Sequence, residues 1–484
     1  MPHGKILGSV GMRLRNCIER RGSCLTPRSR QLPATRTSYG QKIDCFLHQR
    51  RILGQIMKKI SLMTLFSTAL VMNTFLMRPA ALGQEYAPIA MILSVALVGG
   101  YLALRGCHER IILEANRRDI LFTVSIIVLY WLYELPLGIV QGSDTMLLAK
   151  DFLSSVTITI CYAVFLIEEN ENRTFFRIFT MILALLGWSS IITFTLSQIF
   201  GLDPLLLFSL RVKGYDAATI SATGGQQVTT GAVYFPFSMM YSVFTSAGGS
   251  VLNRYSNFFR EAGIYQAVSV LCFAYECFTR RSKFVLIGLT AGTVASLSTL
   301  GLVLLPLTAG LVYITQRRVS IARLILFGGF AIVAAAALVF TPAVGLADKL
   351  ETHGSSVTDR SDAIDRGIES IWINPVGTGL FSEKRAGDSI CLLAAITAIG
   401  VIGFACQALV LSGIRPAARA FNPKVVICFP LLVTALFSQP IGGSGMTGVL
   451  TMAFVSATTR RRAEAPAALS RARHAVAKPT IAIR

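Results

Sequence analysis

The sequence predicts an all-α polytopic membrane protein with about twelve transmembrane helices and two long outer loops, and three observations predict it. Hydrophobic residues make up 53% of the 484-residue chain and charged residues only 15%, a balance outside the range of ordinary soluble domains. Apolar runs of about 16 to 25 residues recur along it, close to the roughly 20 that carry a helix across a bilayer. Lys and Arg collect on every second connection between those runs, as the positive-inside rule requires.

Taken in order, the predicted crossings begin with Ile60–Met77, Tyr86–Leu104, Asp119–Val140, Lys150–Ile167 and Phe175–Phe200. After a long break come Ala262–Phe278, Lys283–Leu297, Leu300–Ile314 and Ile321–Phe340, the middle two being one apolar stretch divided at Ser298-Thr299. Ser389–Leu411, Lys424–Ser438 and Met446–Thr458 complete the set. The basic connections hold Arg105, Arg110, Arg117 and Arg118; Arg280, Arg281 and Lys283; Arg317, Arg318 and Arg323; and Arg415, Arg419 and Lys424. Connections 141–149 and 439–445 are nearly free of such residues, so parity and charge together put both termini in the cytoplasm. Residues 201–261 and 341–387 then form the two long outer loops.

Within the first loop, Gly231–Ala247 is apolar enough to cross. A crossing there would set Arg211 and Lys213 opposite Arg254 and Arg260 and break the charge alternation downstream, so a re-entrant or surface-lying segment bent at Pro236 fits better.

Residues 1–56 carry eleven Lys or Arg against Glu19 and Asp44, and without them the net charge falls from +21 to +12. With little hydrophobic patterning, they are expected to be disordered. Met57-Lys58-Lys59 directly before an apolar run also resembles a natural start. That run is long for a signal peptide cleaved near Ala81-Leu82-Gly83, and a retained helix is expected. The membrane domain spans 57–459, and 460–484 form a basic cytoplasmic tail. Because the basic residues sit at loop ends rather than on a soluble domain, the charge reports topology and not nucleic-acid binding.

Ten cysteines without a CxxC spacing, and His108 as the only histidine near one (Cys107), give no metal or disulfide framework. Glu134 and Glu276 are the main carboxylates inside apolar runs, fewer than a proton-driven carrier needs. Function is therefore expected in the outer loops.

In the second loop, Ile364, Ile368 and Ile371 mark one face of a short helix ending before Pro375, with Arg360 one turn earlier on that face. Arg366 points the other way, with Asp362 and Glu369 in ion-pair register. Pro375, Gly377 and Gly379 form a turn whose backbone can approach a bound group closely. In the first loop, Arg254, Arg260 and Glu261 lead into a helix whose N-terminus faces outward, a combination suited to an anion. Anchoring of the two arginines at lipid headgroups explains the same residues without a ligand.

Three patches together resemble the Wzy polymerase and O-antigen ligase superfamily of bacterial surface-polysaccharide assembly. Arg254–Gly263 is similar to its Arg, Phe, Glu, Gly segment at a helix entrance. Ala295–Gly301 resembles its Ser-containing turn, with Thr299 where the family often has Arg, and Arg360–Gly379 resembles its Arg-helix-Asn-Pro-x-Gly-x-Gly segment. The resemblance covers 57–460. It implies transfer of an undecaprenyl-diphosphate-linked glycan at the outer face of the bacterial inner membrane, without metal or nucleotide cofactor. It also implies membrane lipid, a chain-length regulator and a flippase as partners. Arg254 and Arg360 are then the expected diphosphate contacts, backed by Arg260 and Arg366, and Glu261 is the expected base, or else an ion-pair partner of the arginines.

Polymerases pass the glycan to another repeat unit, whereas ligases pass it to lipid A core and commonly carry His-Asn after the Gly-x-Gly. Asp388-Ser389 stands there in this chain, with Asp388 expected to cap the next helix, and His353 is the one histidine on an outer loop, which favours the polymerase. A lipid-linked-glycan flippase or transporter is the rival from another class. It calls for inverted repeats and charges deep in several helices, neither of which the sequence shows. A structural membrane protein would have no use for paired arginine-bearing loops.

Overall fold

The structure is a computed structural model that describes residues 62–105, 114–210, 220–221, 227–228, 231–245, 251–316, 321–340, 346–382, 390–415 and 422–455. These residues belong to one compact unit, Ile60–Arg484. The basic N-terminal segment, the C-terminal tail, Arg211, Lys213 and Asp388 lie outside the described residues.

All the helices but the charge-rich one at Leu346–Ile373 follow the apolar runs. The helices are α1 (Leu62–Thr74), α2 (Gly83–Arg105), α3 (Glu114–Val140), α4 (Thr145–Leu166), α5 (Glu169–Phe200), α6 (Ala262–Phe278), α7 (Lys283–Ala295), α8 (Thr299–Gln316), α9 (Ile321–Phe340), α10 (Leu346–Ile373), α11 (Ile396–Ser412), α12 (Pro423–Phe437) and the short α13 (Gly445–Leu450). Among the described residues α2, α3, α4, α5 and α8 are long and apolar enough to cross a bilayer, while α1, α6, α7, α11 and α12 are shorter apolar helices. The protein is thus helical and membrane-embedded. The expected twelfth crossing is not one continuous helix, because helical structure stops at Leu450 and a turn follows.

The packing explains how modest helices hold together. Gly288 and Gly292 on α7, spaced four apart, face Gly187 on α5, and a Cβ at 288 would lie 2.6 Å from the Ala184 carbonyl oxygen. Small residues at this spacing let helix backbones touch where lipid offers no hydrophobic drive for association. A continuous core of Phe175, Phe176, Phe179, Tyr162, Tyr265 and Phe259 fills the space between α1, α4, α5 and α6.

Residues 231–245 make no membrane-crossing helix, and the chain bends at Pro236 as expected, but the segment is built of strands. It forms β4 (Ala232–Tyr234) and β5 (Ser238–Thr245) around a turn at Phe235–Phe237, in an antiparallel sheet ordered β1 (Leu206–Ser209), β4, β5, β6 (Val251–Tyr255). β2 (Ile220–Ser221) and β3 (Gln227–Val228) make a separate two-stranded ribbon. Val, Phe, Tyr and Met flanking a Pro are good strand formers, and apolarity without period cannot separate a strand from a crossing. The sheet lies over the end of α5: Thr193 Oγ1 donates to the Phe235 carbonyl at 2.7 Å, and Asn253 Nδ2 to Ser197 Oγ at 3.1 Å.

Candidate functional site

The chain turns from the sheet into α6 through Asn257 and Phe258, both left-handed at φ 44° and 66°. Left-handed backbone at such residues persists only when its surroundings fix it. Here they do: Asn257 Nδ2 donates to Ser190 Oγ (2.5 Å) and its Oδ1 accepts from the Met239 amide (3.3 Å). On the other flank, Ala81 N–H donates to the Phe258 carbonyl (2.8 Å) and Arg260 N–H to the Pro79 carbonyl (3.2 Å). The turn is clamped between α5 and the α1–α2 connection, and it delivers Arg260 and Glu261 to the same place as Arg78. Glu261 is the N-cap residue of α6, with the Ile264 and Tyr265 amides on its carbonyl (3.1 and 3.2 Å), but its carboxylate does not cap the helix.

Arg360 reaches that place from α10. The helix is longer than the short one expected, and Ala363, Gly367 and Ile364 form its packed face rather than the isoleucine stripe, since Ile368 is exposed. Gly367 allows the contact: a Cβ there would lie 2.9 Å from the Leu393 carbonyl carbon. Arg360 is thereby set beside the turn at 390–395.

These residues line one cleft of about 560 Å³. Arg78, Asp151, Arg260, Glu261 and Arg360 supply its charged lining, and Tyr130, Trp131, Gln407, Ser438, Gln439 and Ser444 line it with neutral polar and aromatic groups. Arg78 Nη1 and Asp151 Oδ2 form an ion pair at 2.7 Å, with side chains 38% and 21% exposed. Among the described residues Arg360 makes no ion pair. Three guanidiniums from segments far apart in sequence thus share a cleft with two carboxylates.

Of the five residues singled out in the sequence, the structure brings Arg260, Glu261 and Arg360 together. Arg254 and Arg366 do not line the cleft. Arg254, on β6, donates from Nε to the Ser296 carbonyl (3.2 Å), so it ties the sheet to the α7–α8 turn. Arg366 lies on the exposed side of α10. Arg78 and Asp151 were missed because each sits at the end of an apolar run, Asp151 next to Lys150, and their pairing spans 73 residues.

The Pro-x-Gly-x-Gly turn also has a different partner from the one expected. Gly377 and Gly379 have φ of 88° and 81°, and their loop lies against a break in α11 at Gly400 (φ 64°, ψ −178°). Thr378 and Gly379 amides donate to the Thr397 and Ala398 carbonyls (3.0 and 2.9 Å), and the Val401 amide to Pro375 (2.9 Å). Tyr133 Oη donates to the Val376 carbonyl, and the Leu380 amide to Glu134 Oε1 at 2.8 Å. The backbone approach that glycine permits is made here to α11. Both intramembrane carboxylates accept from amides, since Glu276 Oε1 takes the Ser282 N–H (2.9 Å).

Compared with known proteins, the chain matches no family model, no curated protein and no solved structure.

Proposed function

We propose that this protein transfers an undecaprenyl-diphosphate-linked oligosaccharide to a growing exopolysaccharide or O-antigen chain at the periplasmic face of the bacterial inner membrane. The observation that carries the reading is the convergence of Arg78, Arg260 and Arg360 with Asp151 and Glu261 on one cleft. The alternation of basic connections supports twelve crossings with both termini in the cytoplasm, which opens the cleft outward. That arrangement suits a donor whose lipid stays in the bilayer.

The chemistry needs little beyond these groups. The acceptor hydroxyl oxygen bonds to the anomeric carbon of the donor as the bond from that carbon to the diphosphate oxygen breaks. Charge then concentrates on the departing diphosphate, where pre-positioned guanidiniums stabilise it most. The hydroxyl proton passes to Glu261, a carboxylate within the same cleft. Arg78, held in place by Asp151, joins Arg260 and Arg360 as a diphosphate contact; Arg254 has a positioning role through the α7–α8 turn.

Arg260→Ala, Arg360→Ala and Glu261→Gln, each expressed at wild-type level in the native host, test this on gels of surface polysaccharide. Loss of long chains with single repeat units still attached to lipid A core is the expected result. Unglycosylated core would assign a ligase, and glycan accumulating on the cytoplasmic leaflet a flippase. Normal chain lengths in all three variants would sink the proposal.

A further inference from the structure

The proposed reaction uses only the charged lining of the cleft. The rest of its wall carries no charge, yet it is not simply apolar: Trp131, Gln407, Gln439 and Ser444 share it. Two smaller hollows of about 20 and 40 Å³ border Trp131, Ser155, Gly443 and Ser444 as well; the larger of the two also meets Arg78 and Asp151, and neither touches Arg260, Glu261 or Arg360. The neutral wall therefore adjoins the Arg78–Asp151 pair and lies apart from the other two arginines.

Its amides are placed by glycines. Gln439 lies over Gly263, where a Cβ would come 2.9 Å from Nε2, and Gln407 lies over Gly443, where a Cβ would come 3.0 Å from its Nε2. Gln439 thus sits two residues from Glu261 along the start of α6. Trp131 is 3% exposed and Gln439 4%, and the indole Nε1–H and the Gln439 amide oxygen have no partner among the described residues. Each such group carries its desolvation cost while its hydrogen bond is unmade. One is a donor only and the other an acceptor, so a hydroxyl, which does both, suits either. Both atoms are shielded in this conformation, so a ligand reaches them by turning the indole or amide toward the cleft that their side chains already line.

We infer that this wall is a subsite for a sugar ring, with Trp131 against the ring and Gln439 and Gln407 on its hydroxyls. Phosphate is drawn instead toward the three arginines, of which only Arg78 borders this wall, at its edge, and a plain lipid chain leaves both buried polar atoms unsatisfied. The inference rests on the proposed glycan transfer and names which wall reads the sugar. The ring belongs either to the donor, next to the diphosphate, or to the acceptor.

Binding to the full-length protein in nanodiscs separates these. The probes are undecaprenyl diphosphate alone, undecaprenyl diphosphate bearing one glucose, galactose or N-acetylgalactosamine, and the matching lipid-free trisaccharides. Trp131→Phe and Gln439→Met keep shape and remove the polar group, and thermal unfolding checks that both fold. Each is expected to bind the sugar-free diphosphate within about twofold of wild type, while losing roughly five- to tenfold of affinity for a sugar-bearing probe, about one hydrogen bond. Loss on the lipid-linked sugars assigns the donor ring, and loss on the trisaccharides the acceptor ring. No loss on any sugar probe, or no sugar that improves wild-type binding, overturns the inference. Failure of the parent reading looks different: wild type would then not bind the sugar-free diphosphate, and Arg360→Ala would change nothing.

Discussion

At the scale of single residues, two arginines six positions apart on α10 test the placement most sharply. Arg360 lines the cleft and Arg366 is exposed on the far side of the helix. Arg360→Ala is expected to lower glycan transfer by roughly ten- to a hundredfold, the worth of a charge-assisted contact. Arg366→Ala should stay within about twofold, since exposed helix pairs contribute little. Purified protein with a labelled lipid-linked donor would measure both. This difference was legible in the sequence, because helical phase alone separates 360 from 366. The exclusion of Arg254 was not, since its phase depends on a strand that the sequence does not announce. Arg78 was hidden for a related reason: a lone Arg before Pro at the end of an apolar run looks like a boundary marker until Asp151 is folded next to it.

At the scale of elements, the clasp between the 375–379 loop and the break in α11 is a backbone device and should respond to backbone changes. A Cβ at Gly377 would lie 2.5 Å from the Gly400 amide nitrogen while φ stays at 88°. Gly377→Ala is therefore expected to destabilise by about 1–3 kcal/mol for the backbone conformation alone, seen as a lower unfolding temperature in detergent. The C-terminal turn of α10 makes a second prediction. Trp372 is 84% and Ile373 74% exposed, and Tyr133 ties the following loop to α3, whose Leu129 and Leu132 are exposed as well. An exposed aromatic continuous with membrane-facing side chains belongs at the bilayer interface. With Trp131 and Trp188 changed to Phe, brominated lipids should quench the remaining fluorescence; an unquenched Trp372 would place this end in water. Most helix positions were readable because continuous apolarity over such lengths has one main cause; the extent of the charge-rich α10 and the early end of α13 were not. The sheet in the first loop was not, because a short apolar run fits a strand and a crossing equally well.

At the scale of the whole molecule, the proposed topology sets the cleft and Lys283 on opposite sides of the membrane. In a cysteine-free background, Asp359→Cys should react with an impermeant maleimide on intact spheroplasts and Lys283→Cys only after lysis. Reaction of both from outside would invert or break the assignment. The fold is also stitched by bonds between distant parts of the chain, and this has a consequence in time. Glu134 and the Leu380 amide that it accepts are 246 residues apart. At a synthesis rate of about 5–20 residues per second, roughly 12–50 s pass between the arrival of one and the other. Throughout that interval the Glu134 carboxylate, fully buried in the finished protein, lacks the Leu380 amide. The 375–380 loop therefore joins α3 late in synthesis, and nascent α3 is a natural client for whatever holds unfinished membrane proteins.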